Sequence, residues 1–93
     1  MIQIKAYIKL YEKGRKTPFQ SGYRPVFRFV IDMLTSGMIE LIDKSEFYPS
    51  DEGLVKISFW NSDYLGDDFE KGKVFTFGEG EKSLGEGIVY EVL

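Results

Sequence analysis

The sequence predicts an all-β domain, and three observations lead to this prediction. No segment keeps the 3.6-residue apolar period that an amphipathic helix requires. Six short runs are instead apolar at alternate positions or rich in aromatic and β-branched residues. Glycine, proline and aspartate separate these runs, as is typical of a β-sandwich or a small barrel. We favour a barrel because closure leaves no exposed strand edge.

The strands can be justified in chain order from these patterns. The first run alternates apolar and polar residues, and Pro25 fixes the entry to the second, in which Phe27 and Phe29 share a face. We interpret 35–37 (Thr-Ser-Gly) as the turn before the third strand, and 78–83 as the turn before the sixth. The predicted strands are 2–11, 26–31, 38–42, 54–60, 74–77 and 84–93.

Length and composition indicate one folded domain over residues 1–93. The chain is 43% hydrophobic and 16% aromatic, which suits a packed core. It contains neither Cys nor His, so it lacks the commonest nucleophilic thiol, general base and metal ligands. We therefore expect no enzymatic activity, metal or cofactor. No apolar run approaches the ~20 residues of a membrane span, and the N-terminus lacks an apolar signal core, which predicts a cytoplasmic protein without a membrane partner.

Two familiar ligand motifs fail on spacing. In the glycine-rich segment 78–87, Ser83 stands where a dinucleotide fingerprint requires Gly, and Glu86 stands where a phosphate-binding loop requires Lys. We therefore expect no nucleotide, and interpret these glycines as positions of close backbone packing. In the acidic segment 61–72, Gly72 stands where a calcium loop places its bidentate Glu, so we interpret this segment as a solvated turn.

Charge is unevenly distributed along the chain. Residues 1–28 contain seven Lys and Arg against a single acid, Glu12, whereas the remainder contains five Lys and fourteen acids. This split predicts a dipolar surface that meets a phosphate backbone or an acidic partner. The groups suited to phosphate contacts are four cations and two hydroxyls: Lys13, Arg15, Lys16, Arg24, Thr17 and Ser21.

Three residues of this basic stretch have two interpretations each. Phe19 and Tyr23 either stack on unpaired bases or anchor the loop on the barrel. Arg24 either contacts phosphate or pairs with an acid of the fold. The spacing of these residues does not choose between the alternatives.

Two motifs at opposite ends of the chain resemble a known family. They are Gly-Arg-Lys-Thr-Pro-Phe at 14–19, continued by Gly-Tyr-Arg-Pro-x-Phe-x-Phe at 22–29, and the glycine-rich run over 75–93. Together with Ser-Gly-Met-Ile-Glu-Leu at 36–41, they resemble the third, C-terminal domain of bacterial-type elongation factor Tu. The likeness covers most of the chain in the same order. Val26 departs from it, because the family usually has Gln there.

The resemblance implies a six-stranded Greek-key barrel and an RNA-binding role related to translation. In the family this domain helps to hold the T arm of aminoacyl-tRNA and packs on neighbouring domains, including a GTPase domain. This chain carries no GTPase domain, so no GTP hydrolysis is expected. The resemblance implies tRNA-facing positions at Arg15, Lys16, Thr17, Thr35, Glu79 and Gly80.

A second interpretation is a protein-interaction module that binds a translation factor, another protein or a copy of itself, without RNA. The substitution at Val26 and the isoelectric point of about 4.9 favour it. Fold alone does not choose between the two functions.

Overall fold

The six strands close into one antiparallel barrel. The computed structural model describes all residues 1–93 and contains no helix, so none with the length and apolar character of a membrane-crossing helix. The strands are β1 (Ile2–Leu10), β2 (Val26–Val30), β3 (Met33–Leu41), β4 (Glu52–Phe59), β5 (Val74–Glu79) and β6 (Lys82–Val92). Their order around the barrel is β1-β4-β3-β2-β5-β6. Because β2, β3 and β4 form a meander and β1 returns beside β4, the predicted six-stranded Greek-key barrel is confirmed.

The core forms because alternate residues of each strand point into the barrel. Seventeen buried apolar residues form one cluster. Five phenylalanines fill its middle, with neighbouring ring centroids 4.8–6.4 Å apart, in the range of favourable aromatic pairs: Phe27, Phe29, Phe59, Phe75 and Phe77.

The predicted turn at 35–37 is wrong, because these residues lie in the middle of β3. The chain turns earlier, at Ile31 and Asp32, and Asp32 takes the positive φ of 65° that aspartate tolerates better than most residues. Gly37 faces the core. A Cβ there would lie 2.8 Å from the rings of both Phe27 and Phe59, so this glycine makes room for the rings.

The turn between β5 and β6 is shorter than the predicted 78–83. β5 continues to Glu79 and β6 begins at Lys82, with Gly80 at the tip in a left-handed conformation (φ 62°). Gly85 and Gly87 lie in β6 against Phe77 and Phe75, where a Cβ would approach ring atoms to 2.4 and 2.5 Å. The interpretation of these glycines as close-packing positions is confirmed.

Loops from distant parts of the sequence gather at one end of the barrel. This loop end comprises residues 11–25, 42–51 and 79–82, which follow or precede the strand ends at Leu10, Leu41 and Glu79. The segment 60–73 crosses the opposite end. Phe69 seals that end by packing its ring 5.2 Å from the ring of Phe29.

Candidate functional site

The two motifs that carry the family resemblance meet at the loop end. A guanidinium N–H of Arg15 donates to Glu79 Oε2 at 3.1 Å, although the two residues are 64 positions apart. The Tyr23 hydroxyl donates to the same oxygen at 3.0 Å. We call these three residues the Arg15 cluster. It joins the basic loop to the β5–β6 hairpin.

Arg15 is held on more than one side. Its Nε–H donates to the carbonyl of Thr17 at 2.9 Å, and the guanidinium lies 4.8 Å from the Tyr23 ring centroid, which is a cation–π distance. The side chain is only 24% exposed. Arg15 therefore organises the loop, and its charge is already paired with Glu79.

Tyr23 stays a neutral donor over the usual pH range. Burial of the ring, together with the hydrogen bond to Glu79, raises the pKa of Tyr23 from 10.0 to about 12. The phenol therefore remains a protonated donor at neutral and moderately alkaline pH. The Arg15 cluster thus keeps its hydrogen bonds from neutral to moderately alkaline conditions.

Aromatic packing pins the basic loop to the barrel. Phe19 is buried, and its ring centroid lies 5.2 Å from that of Phe47 and 4.6 Å from that of Tyr23. The backbones of Phe19 and Phe47 exchange hydrogen bonds of 3.0 and 2.9 Å. Of the two interpretations of Phe19, the anchor is confirmed. Ser21 is likewise engaged, because its hydroxyl accepts the N–H of Leu41 at 2.8 Å.

The remaining residues predicted from the resemblance divide into two groups. Lys16 and Thr17 are exposed beside Arg15, and Gly80 is exposed at the hairpin tip beside Glu79. Thr35 is only 6% exposed, within β3, so its side chain does not reach the surface that the others share. The structure brings five of the six residues to the loop end and leaves Thr35 apart.

The fold balances the charge that the sequence separates. Four cations and one acid lie in 11–25, one cation and three acids in 42–51, and one cation and two acids in 79–82, which gives six of each sign at the loop end. The acidic loop 42–51 folds directly against the basic one, with Gln20 Nε2 donating to Glu46 at 3.5 Å. Four cations of the loop end are exposed and form no ion pair: Lys13, Lys16, Arg24 and Lys82.

Arg24 does not pair with an acid of the fold, so that interpretation is wrong, whereas its contact with phosphate stays a prediction. It is exposed, and its guanidinium lies 4.9 Å from the ring centroid of Trp60, which is itself half exposed. No acid pairs with it. This stack could not be predicted from the sequence, because it depends on how distant strands pair in the closed barrel.

A second surface, which was not predicted from the sequence, lies on the outside of the barrel. A groove of about 740 Å³ crosses β2, β5, β6 and β1. Its lining is mainly apolar and includes Val30, Val74, Ile88 and Tyr7. Val74 is 66% exposed and Ile88 39%. We call this surface the outer groove. The signal was present in the pairs of consecutive apolar residues at 74–75 and 88–89, since such pairs place an apolar side chain on both faces of a strand.

The outer groove has a defined register. Arg28 lies opposite Thr76, and Thr76 opposite Glu86, so β5 separates a cation from an acid. In the neighbouring row, Val74 lies opposite Ile88. The groove is thus an apolar row beside a row with charges of opposite sign.

The acidic side chains of segment 61–72 are exposed, as the predicted solvated turn requires, although Leu65 and Phe69 of the same segment pack into the core. Asn61 Oδ1 accepts the N–H of Asp63 at 2.7 Å, and Lys73 donates to Asp68 at 2.9 Å. This contact, through its hydrogen bond, lowers the pKa of Asp68. No group of three or more potential metal-binding side chains occurs in the structure.

No model of a known protein family matches the chain.

Proposed function

We propose that this chain is a non-catalytic binding module, similar to the third domain of elongation factor Tu, that contacts RNA through its loop end. Transfer RNA is the class that the resemblance favours. The observation that carries the proposal is the meeting of the two resembling motifs through Arg15 and Glu79 at 3.1 Å. Segments that are separate in sequence thereby form one surface with exposed lysines beside it.

The chemistry of this surface suits a nucleic-acid backbone. Lys16 and Lys82 are exposed and unpaired, and Lys13 adds a third cation for phosphate contacts. The Thr17 side chain is exposed for hydrogen bonding, and the absence of a side chain at Gly80 permits close approach. Arg15 contributes by holding the loop in place. Because the loop end carries equal numbers of both charges, we expect weak binding that depends on a few contacts.

A salt titration tests the proposal. Binding of bulk tRNA is measured by fluorescence anisotropy from low salt to about 200 mM, where about three phosphate contacts give a log–log slope of roughly −2 to −3. The double substitution Lys16→Ala/Lys82→Ala should flatten this slope by about 1.5–2, because each contact contributes slightly less than one unit.

Lys71→Ala provides the matched control, since Lys71 is an exposed lysine at the opposite end of the barrel. It should leave the slope unchanged. Absence of saturable binding at low salt, or a slope that the double substitution does not alter, would contradict RNA binding at the loop end.

A second candidate function is a protein-interaction module that binds a translation factor or another protein without RNA. The outer groove favours it, because an exposed apolar surface of this kind on a small domain marks an interaction site. The balance of charges at the loop end favours it too. A partner that binds the wild-type chain after nuclease treatment and is lost with Val74→Glu supports this function, whereas retention by Val74→Glu argues against the groove.

A further inference from the structure

The outer groove has complementary residues on the two sides of strand β5. On one side of β5 lies β2, with Arg28 opposite Thr76, and on the other lies β6, with Glu86 opposite Thr76 and Ile88 opposite Val74. Charges of opposite sign thus occupy corresponding positions on the two sides of β5, and the groove has an apolar residue on each side, Val30 on β2 and Ile88 on β6. Such a correspondence allows the surface to pair with a copy of itself.

We propose that the outer groove binds a second copy of this chain, in a two-fold symmetric dimer whose axis lies in the interface along β5. Such an axis exchanges the two sides of β5 when the groove faces its own copy. Val74 then meets Val74 of the other copy, and Val30 meets Ile88. Arg28 meets Glu86, and the same ion pair forms a second time. Symmetric dimers require this kind of self-complementary surface.

The charged residues are available for these contacts. The only ion pair of Arg28 within the chain is with Glu81, at 3.5 Å, and the Glu81 side chain is 91% exposed. Glu86 accepts one hydrogen bond, from the Tyr11 hydroxyl to Oε1 at 2.9 Å, which leaves its other oxygen free. Arg28 therefore retains donors, and Glu86 an acceptor, for a partner.

Self-complementarity favours a second copy over an unrelated protein. An unrelated partner has its own charge pattern and places no requirement on the two sides of β5. This inference deepens the second candidate function and is independent of RNA binding, because the groove residues named here are not those proposed to contact phosphate. A monomeric chain that binds tRNA and a dimeric chain that does not are therefore distinguishable results.

Sedimentation equilibrium of the purified chain tests the dimer. A weak interface of small area is expected, so concentrations up to about 500 μM are needed. The wild-type mass should rise from 10.7 kDa toward twice that value with concentration. Val74→Glu should remain a monomer throughout, because it places two carboxylates together at the axis. Ile42→Glu, at an exposed apolar residue of the loop end, should dimerise like wild type.

A charge exchange tests the arrangement itself. Arg28→Glu should weaken the dimer at least tenfold, since both ion pairs become repulsive, and Arg28→Glu/Glu86→Arg should restore it. Circular dichroism melts establish that each variant is folded, and Glu86→Arg alone serves as a second repulsive variant if Arg28→Glu does not fold. A wild-type chain that is monomeric at all concentrations would overturn the proposal, as would a dimer that persists in Val74→Glu or fails to return in the double exchange.

Discussion

The loop end and the outer groove differ in how their side chains are engaged. At the loop end, charged and aromatic groups already contact each other: Arg15 pairs with Glu79, and Phe19 stacks on Phe47. In the outer groove, Val74 and Ile88 face solvent with no covering segment. The basic run at 11–25 is prominent in the sequence, but acids balance its charge in the folded chain. The apolar groove, which is inconspicuous in the sequence, is the surface whose side chains lack partners.

The two regions also contribute to different properties of the chain, the loop end to stability and the outer groove to association. Contacts at the loop end stabilise the folded chain and fix the shape of the proposed RNA surface. Val74 and Ile88 of the outer groove contribute little to the stability of the isolated chain, because much of their area is in water in both the folded and unfolded states. The loop end is therefore expected to respond to substitution in stability, and the groove in association.

The largest expected effect comes from removing an anchor of the loop end. Phe19→Ala should lower the free energy of unfolding by about 3–5 kcal/mol, because it leaves a cavity beneath the basic loop. Val74→Ala removes an exposed side chain in the groove and should change the same quantity by about 0.5 kcal/mol or less. Urea unfolding followed by tryptophan fluorescence measures both.

These measurements belong at protein concentrations low enough to keep the chain monomeric, because dimer formation would add to the apparent stability of the wild type. Losses of similar size in the two variants would contradict the distinction between an anchored loop end and the exposed apolar side chains of the groove.

Removing the ion pairs of the two regions is expected to change the free energy of unfolding by a smaller amount. Arg15→Ala should destabilise the chain by about 1–2 kcal/mol, because it removes hydrogen bonds to Glu79 and Thr17 and the contact with Tyr23. In a double-mutant cycle with Glu79→Ala, the coupling should be about 0.5–1 kcal/mol, since Glu79 is largely exposed and solvent screens the pair.

The pair between Arg28 and Glu81, at the edge of the groove, is the matched comparison. Its atoms are 3.5 Å apart and Glu81 is almost fully exposed, so its coupling should be about 0.2 kcal/mol or less. Raising the salt concentration should reduce the Arg15–Glu79 coupling without abolishing it, since the Arg15 side chain is mostly shielded from solvent. Equal couplings in the two cycles would remove this contrast between the regions.

The sequence predicts the fold well because the period of two is a local property of each strand. All six predicted strands exist, but β3 begins at Met33 and not at the predicted residue 38. The difference arises because Gly37, which resembles a turn residue in the sequence, makes room for two phenylalanine rings in the middle of the strand. The burial of Thr35 was not predicted for the same reason, because a residue in a turn is expected to be exposed. In a strand, the side chains of Thr35 and Gly37 point to the same, inward face.

The surfaces are less predictable because they depend on register between distant strands. Only the family resemblance assigned Arg15 and Glu79 to one site, because no rule of sequence spacing relates two residues in such distant segments. The balance of charge at the loop end required knowing that loop 42–51 folds beside loop 11–25. The pairing of Arg28 with Thr76, and of Thr76 with Glu86, is a property of barrel closure that no single strand encodes.

The smallest expected effect is a difference in pH dependence between a tyrosine of each region. Burial and the Glu79 hydrogen bond raise the pKa of Tyr23 to about 12, whereas Tyr7, on the groove, is exposed, and its pKa is raised chiefly by a hydrogen bond to Glu52. A pKa that is higher in the folded chain than the ordinary value of 10.0 means that the folded state favours the protonated phenol. The resulting stabilisation is complete below about pH 10 and is lost as the pH rises toward 12.

Ultraviolet titration should therefore show a late phenolate step that Tyr23→Phe removes, whereas Tyr7→Phe should remove an earlier one. If Tyr23→Phe left the latest step intact, the Tyr23 ring would be more open to water than its packing on Phe19 implies, and the anchored description of the loop end would fail at its central contact.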